Sequence, residues 1–388
     1  MNVTTMQRLA WIATLLAFSV IVFGAFVRLS NAGLSCPDWP TCYGKATWPE
    51  QAHEIARADA RFPERPVEMH KTWREQLHRM LAGSLGVLVL VLALLAAWQR
   101  RALAWTIAGG AIAAALGVGS YVGGMRAAAG VLAAIAIVLP LLAAARLGRP
   151  APWRVAVATL SVVIFQAMLG MWTVTLLLKP LIVLAHLAGG MTTFALLAYT
   201  ALALSRDATP PAPDVARIKP LVVAALILLG CQITLGGWTS ANYAAFACGL
   251  DFPKCLGQWW PATDFHHGFV LWRAIGVNYE GGVLDLPARS AIQIAHRIGA
   301  LLVFASLLGL SALLWRRALR RFAIVLSGLL CVQVTLGIAN VKLGLPLPVA
   351  TAHNGVAALL LFTLVALLVR TQRAPQVGRE GKTSLDRT

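Results

Sequence analysis

His78, His186, His296 and His353 each lie near the start of an apolar stretch, in two pairs whose surroundings repeat. Gln166-x-x-Leu169-Gly170 followed by His186 matches Gln333-x-x-Leu336-Gly337 followed by His353, with a constant offset of 167 residues. Upstream, His78-Arg79 matches His296-Arg297, and Gly24 with Cys36 matches Gly236 with Cys248. The bland reading of any one such histidine is an interhelical hydrogen bond. Four at repeat-related positions and similar depth point instead to ligation. Two imidazoles facing across a flat gap are what a six-coordinate haem iron requires. Zinc fits less well, because no third and fourth ligands recur with each pair.

Fifteen acids are present, almost all in predicted loops or tails. The exception is Glu75, three residues before His78, a spacing that puts both side chains on one helix face. The matching residue of the second pair, three before His296, is Gln293. Gln exchanges hydrogen bonds but takes up no proton, so only the first pair combines a haem site with a potential general base. The bland alternative is a helix-start carboxylate stabilised by the helix dipole.

The elements that must hold these residues follow from composition. The 388 residues are 59% hydrophobic and 12% charged, with a mean hydropathy of +0.73, far from soluble-domain values. Apolar runs long enough to span a bilayer fall at about 9–27, 77–98, 103–122, 127–145, 155–177, 181–204, 219–238, 291–314, 322–341 and 347–369. The fold class is an all-α polytopic membrane protein with about ten spans. A net charge of +18 would suit nucleic acid, but the basic residues cluster in every second loop. Arg8, Arg100, Arg101, Arg146, Arg149, Arg154, Arg206, Arg217, Lys219, Arg316, Arg317, Arg320, Arg321 and the tail from Arg370 onward follow the positive-inside pattern. Nucleic acid is therefore not an expected partner, and both termini are expected in the cytoplasm. The first span is too long for a signal-peptide core and lacks a convincing cleavage site, and no Arg/Ser-rich transit segment precedes it. A bacterial inner membrane is the expected location.

On this topology all four histidines fall within the first turn or two of spans that enter from outside. Cys36, Cys42, Cys248 and Cys255 fall in two long external loops, about 29–76 and 239–290. An oxidising exterior permits disulfides there, and the spacing suggests the local pairs Cys36/Cys42 and Cys248/Cys255, structural or redox-active. Cys231 and Cys331 lie inside spans and are expected to pack as apolar residues. His53, His70, His266 and His267 are expected to be solvated loop residues, although His266-His267 could lie over a cofactor edge.

The repeats divide the chain into two four-helix units, 1–205 and 206–388. His78 to His186 is 108 residues and His296 to His353 is 57. The surplus is accounted for by an inserted helical hairpin at about 101–150, which restores the chain to its starting side. It contains no His, Cys, Asp or Glu and reads as peripheral packing or a contact surface.

Taken together, the loop Gly33-Leu34-Ser35-Cys36-Pro37-Asp38-Trp39-Pro40-Thr41-Cys42, the Glu75-x-x-His78-Arg79 motif, the Gly170-x-x-Thr173-Val174 run before His186, and His296-Arg297 with His353 resemble the haem A synthase family over about residues 9–370. The inserted hairpin departs from the family's usual eight spans. The resemblance implies an oxidoreductase that converts the C8 methyl of haem O to the formyl of haem A through successive hydroxylations. It implies His78 and His186 as ligands of the substrate haem, His296 and His353 as ligands of a resident haem b, Glu75 as the catalytic acid/base, and Cys36/Cys42 as an external redox or structural pair. Implied partners are membrane lipid, haem O synthase and other cytochrome oxidase assembly factors, an electron acceptor of unassigned identity, and a second copy in a homo-oligomer. The rivals from another class are a diheme b-type electron carrier and a haem transporter. The electron carrier needs no haem O and no catalytic acid, and in the transporter one site would load and release haem.

Overall fold

The computed structural model describes residues 3–205, 213–317 and 319–372. Arg206 and the tail residues Arg373, Arg379, Lys382 and Arg387 of the charge pattern lie outside them. Among the described residues, ten helices are long and apolar enough to cross a membrane, matching the number of predicted spans. They are α1 (Val3–Leu29), α3 (Met69–Ala97), α4 (Arg101–Val122), α5 (Arg126–Arg146), α6 (Ala151–Thr175), α7 (Pro180–Leu204), α9 (Lys219–Ala241), α11 (Leu286–Arg316), α12 (Arg320–Lys342) and α13 (Leu347–Thr371). Short helices α2 (Ala52–Arg61) and α10 (Phe265–Gly268) belong to the two long loops, and α8 (Pro213–Ala216) precedes α9. Helix is the required answer for such runs, because each backbone N–H and C=O in hydrocarbon must be satisfied within its own segment. Proline in the first turn starts α6, α7, α9, α11 and α13, where its missing N–H costs nothing.

Helices α3 and α11 begin eight and five residues before their apolar runs do. His78 and His296 consequently sit nine and ten residues into their helices, while His186 and His353 each sit six residues in. This corrects the expectation of one or two turns. The added turns are polar, among them Lys71, Thr72 and Arg74 in α3, and they are held by the loop above. Gln76 donates to the Ala46 carbonyl at 2.6 Å, and the Asp285 side chain caps α11 by accepting from Ala288 N–H at 3.0 Å.

Helices α1, α3, α6 and α7 touch in sequence around a closed ring, and α9, α11, α12 and α13 close a second. The rings meet where α7 and α13 pack together, flanked by contacts of α1 with α13 and of α7 with α9. The α4–α5 hairpin packs on the outside of the first ring, α4 against α3 and α5 against α6. Small residues let its two helices approach closely: a Cβ on Gly110 would lie 3.1 Å from Pro140 Cδ and 3.3 Å from the Ala136 carbonyl. The hairpin is thus peripheral, as expected, but its inner face also lines the cavity described below, so packing is only part of its role. Cys231 and Cys331 are exposed on the outside of α9 and α12, which corrects their reading as packed residues.

The second long loop reaches over the first ring. Tyr279 N–H donates to the Leu177 carbonyl at 3.0 Å, and Arg28 bonds the Ser240 carbonyl at 2.6 Å. Lys179, fully buried, places its ammonium 3.4 Å from the centre of the Trp272 ring, a cation–π contact.

Candidate functional site: paired histidines beneath disulfide loops

Within each ring the two histidine-bearing helices are diagonal partners: α3 faces α7, and α11 faces α13. A diagonal pair leaves a central gap that neighbouring helices cannot fill. His78 and His186 point into that gap with ring centroids 6.5 Å apart and planes at 82°. The separation suits two nitrogens each about 2 Å from a shared metal, as in other imidazole sites, with the ring bodies behind them.

A glycine seats every one of the four imidazoles. A Cβ on Gly24 of α1 would lie 2.7 Å from His78 Cε1. On Gly170 of α6 it would lie 3.2 Å from His186 Cε1, on Gly236 of α9 3.1 Å from His296 Cε1, and on Gly337 of α12 3.2 Å from His353 Cε1. Four residues before three of these glycines stands a glutamine that fixes the histidine. Gln166 donates to the His186 carbonyl, Gln232 lies 3.0 Å from the His296 carbonyl and 3.1 Å from its Nδ1, and Gln333 lies 3.2 Å from His353 Nε2. In α1 the equivalent position is Val20. Nδ1 of His78, His186 and His353 is buried with no hydrogen-bond partner. In the first ring, tightly seated imidazoles with buried, unpartnered Nδ1 atoms facing a shared gap fit a bis-imidazole haem site.

Glu75 is 4% exposed and fully engaged. Its Oε2 accepts from Cys36 N–H at 2.9 Å and from the Ser35 hydroxyl at 3.0 Å, and its Oε1 pairs with Arg79 at 2.6 Å. Arg79 also donates to the carbonyls of Asp38 and Thr41 at 2.8 and 2.7 Å. Arg297 likewise bonds the carbonyls of Asp251 and Lys254, each at 2.9 Å. The arginine after each α3 or α11 histidine therefore clamps a cysteine loop over its ring. Gln293, the counterpart of Glu75, is 5% exposed and its Oε1 has no partner. In the first loop, burial above all, with Asp59 and Glu75 nearby, pushes the Tyr43 phenol up to about 12, so it stays protonated and donates to the Arg65 carbonyl at 2.9 Å.

Both expected disulfides are present, Cys36–Cys42 with Cα atoms 4.8 Å apart and Cys248–Cys255 with 4.6 Å, inside the usual window for a bridge. Non-reducing peptide mapping of the purified protein should recover these two local links. A bridge joining the two loops would contradict the arrangement.

The structure brings Glu75, His78, Arg79 and His186 to one cavity of about 1160 Å³. His53, His70, His266 and His267 are exposed. His266 and His267 lie on α10, which packs against α11, and they do not line that cavity. Sequence reasoning missed the glycine seats, Gln232 and the hairpin wall. The Gln-x-x-x-Gly spacing before Gly236, shared with Gly170 and Gly337, was the signal that could have revealed Gln232.

The cytochrome oxidase assembly protein family matches residues 7–126 and 124–365, two stretches that meet at the turn of the α4–α5 hairpin. A protein named haem A synthase from Shewanella oneidensis is 38% identical over 95% of this chain and 96% of its own length. Another from Rhizorhabdus wittichii is 27% identical over 91% and 90%, and one from Caulobacter vibrioides is 24% identical over 94% and 95%. With matched segments running from α1 into α13 and a full-length relative at this identity, the chain belongs to the cytochrome oxidase assembly protein family, alongside these haem A synthases.

Proposed function

We propose that this chain is a multi-pass membrane haem A synthase that oxidises a methyl group of haem O to the formyl group of haem A. The observation that carries this reading is the meeting of Glu75, Arg79, His78 and His186 in one cavity, in a chain whose full-length relative bears that name. His78 and His186 hold the substrate haem. Residues 1–205 form the substrate half and 206–388 the cofactor half, in which His296 and His353 hold a resident haem b. That group, when bound, supplies one-electron redox chemistry.

The chain's own residues do the rest. Each oxidation of a methyl carbon with oxygen from water releases electrons and protons, so a base beside the reacting edge has a defined task. Glu75 orients the water and takes the proton. Arg79 fixes the carboxylate from one side and the Cys36–Cys42 loop fixes it from the other. Ser35, 3.0 Å from Glu75 Oε2 and 2.8 Å from the Ala32 carbonyl, begins an exit toward the loop face. Gln293 leaves the second half without this proton path. The disulfides and the basic opposite loops support a periplasmic loop face, cytoplasmic termini and a bacterial inner membrane. Haem O synthase as donor, an external electron acceptor, cytochrome oxidase assembly factors and self-association complete the proposed setting.

Extraction and chromatography of the haems bound to protein made in cells that supply haem O tests the reading. Haem B together with haem O, haem A or a hydroxylated intermediate is expected. Haem B alone would identify a diheme b-type electron carrier.

A further inference from the structure

The α4–α5 hairpin packs against the ring that contains Glu75, His78 and His186, and it covers the two helices, α3 and α6, that flank that site. It is also part of the cavity. Ala111, Ala114 and Tyr121 of α4 and Arg126, Gly130 and Ala133 of α5 line the same space as the histidines. On α3 the lining runs from Glu75 to Leu90, which at about 1.5 Å per residue is roughly 22 Å of depth. Most of that depth lies beyond His78 toward the opposite face and is bordered by apolar residues such as Leu85, Val87 and Leu160.

This is more space than a histidine-ligated macrocycle at the level of His78 requires, and the volume exceeds the usual upper range of about 1,000 Å³ for small-molecule pockets. Its walls are open where small residues stand. A Cβ on Gly83 of α3 or on Gly130 of α5 would meet no atom within 4 Å. Two glutamines on the wall, Gln76 and Gln166, have a buried side-chain oxygen with no partner, and Gln166 is matched in the second half by Gln333, whose oxygen is likewise unpartnered, so Gln76 is the one peculiar to this half. Gln76 is 3% exposed and its Oε1 accepts no hydrogen bond, and the matching residue before His296 is the apolar Ile294. A long apolar slot with an unpartnered acceptor near its haem end that the second half lacks fits a hydrocarbon chain that carries a hydroxyl group where it joins the ring.

We infer that the inserted hairpin is the binding wall for the hydroxyethylfarnesyl side chain of haem O, enclosing a tail that would otherwise lie in lipid. The inference rests on the proposed reaction, since it takes haem O as the occupant of the first ring. Gln76 receives the tail hydroxyl, and the small residues of α4 and α5 leave the groove in which the isoprenoid lies. The hairpin thereby selects haem O over haem B, which has no such tail.

The test uses the full-length protein with its resident haem in lipid nanodiscs, titrated separately with haem O and haem B and followed by difference spectra. Wild type should bind haem O at least about ten-fold more tightly than haem B, because only the former buries the apolar tail. Gly130→Leu and Ala133→Phe fill the groove and should erase that preference, with haem B affinity within about three-fold of wild type and the resident-haem spectrum reporting an intact fold. Leu116→Phe, on an exposed position of α4 outside the cavity, should retain the preference. Unchanged haem O affinity in both groove variants would overturn the inference and assign the space to a lipid acyl chain. Equal losses for both haems would overturn it too, by making the hairpin a support for the whole pocket. In either case, haem A formation by wild type would leave the proposed reaction standing. A wild type that neither prefers haem O nor forms haem A would remove both.

Discussion

Glu75→Gln should lower haem A formation by about 10²–10⁴-fold, the usual contribution of a positioned general base, while the protein still folds, keeps its resident haem and binds haem O. Gln is nearly isosteric with Glu and can still accept the Cys36 N–H and Ser35 hydroxyl bonds that tie the loop to α3. The substitution removes the negative charge facing Arg79 and the capacity to take a proton. Turnover assays with chromatographic separation of haem O, hydroxylated intermediate and haem A give the readout, and accumulation of an intermediate would place the defect in a later oxidation. The Arg79 clamp on the Asp38 and Thr41 carbonyls is independent of the carboxylate, so the loop should keep its place. Wild-type rates of haem A formation in this variant would leave Glu75 with a purely structural part. Gln293→Glu should not create a second reactive site, because the second ring is assigned a haem that does not react.

Loss of an axial imidazole is the other large effect. His296→Ala or His353→Ala should abolish the low-spin signal of the resident haem, and with it turnover. His78→Ala or His186→Ala should preserve that signal and weaken haem O binding by more than about 100-fold, beyond the range typical of losing only an outer-shell partner. The separation follows from the two rings, since each pair spans its own diagonal and is seated on its own glycines, Gly24 and Gly170 or Gly236 and Gly337. Optical and paramagnetic resonance spectra of the four purified variants decide the matter. Four variants with unchanged bis-imidazole spectra would falsify the assignment of these residues as ligands.

Much of this was legible in the chain. The ten spans could be read because hydrocarbon admits only long apolar helices among α-helical segments, and the repeat marked His78, His186, His296 and His353 because identical spacing of polar residues inside such runs is costly to maintain without a use. The local cysteine pairs followed from sequence proximity, and the structure contains both. The helix starts were less legible. Met69 to Gln76 is too polar to register as part of a span, yet it is helical because the loop above supplies partners for Gln76 and Glu75.

Which way each helix faces was decided only by the tertiary structure. In a membrane the lipid is as apolar as the protein interior, so a spanning helix carries little hydrophobic pattern to distinguish its inner face. That is why Cys231 and Cys331 could be read as packed although they lie outside the bundle, and why the Ala- and Gly-rich hairpin could be read as outer packing alone although one face lines the cavity. The sequence by itself determined the number of spans, the residues able to ligate and the single acid beside one of them. Only the closing of α1, α3, α6 and α7 into a ring, with α3 opposite α7, put Glu75, His78, Arg79 and His186 around one space, because contacts between residues about a hundred positions apart depend on helix packing and not on local spacing.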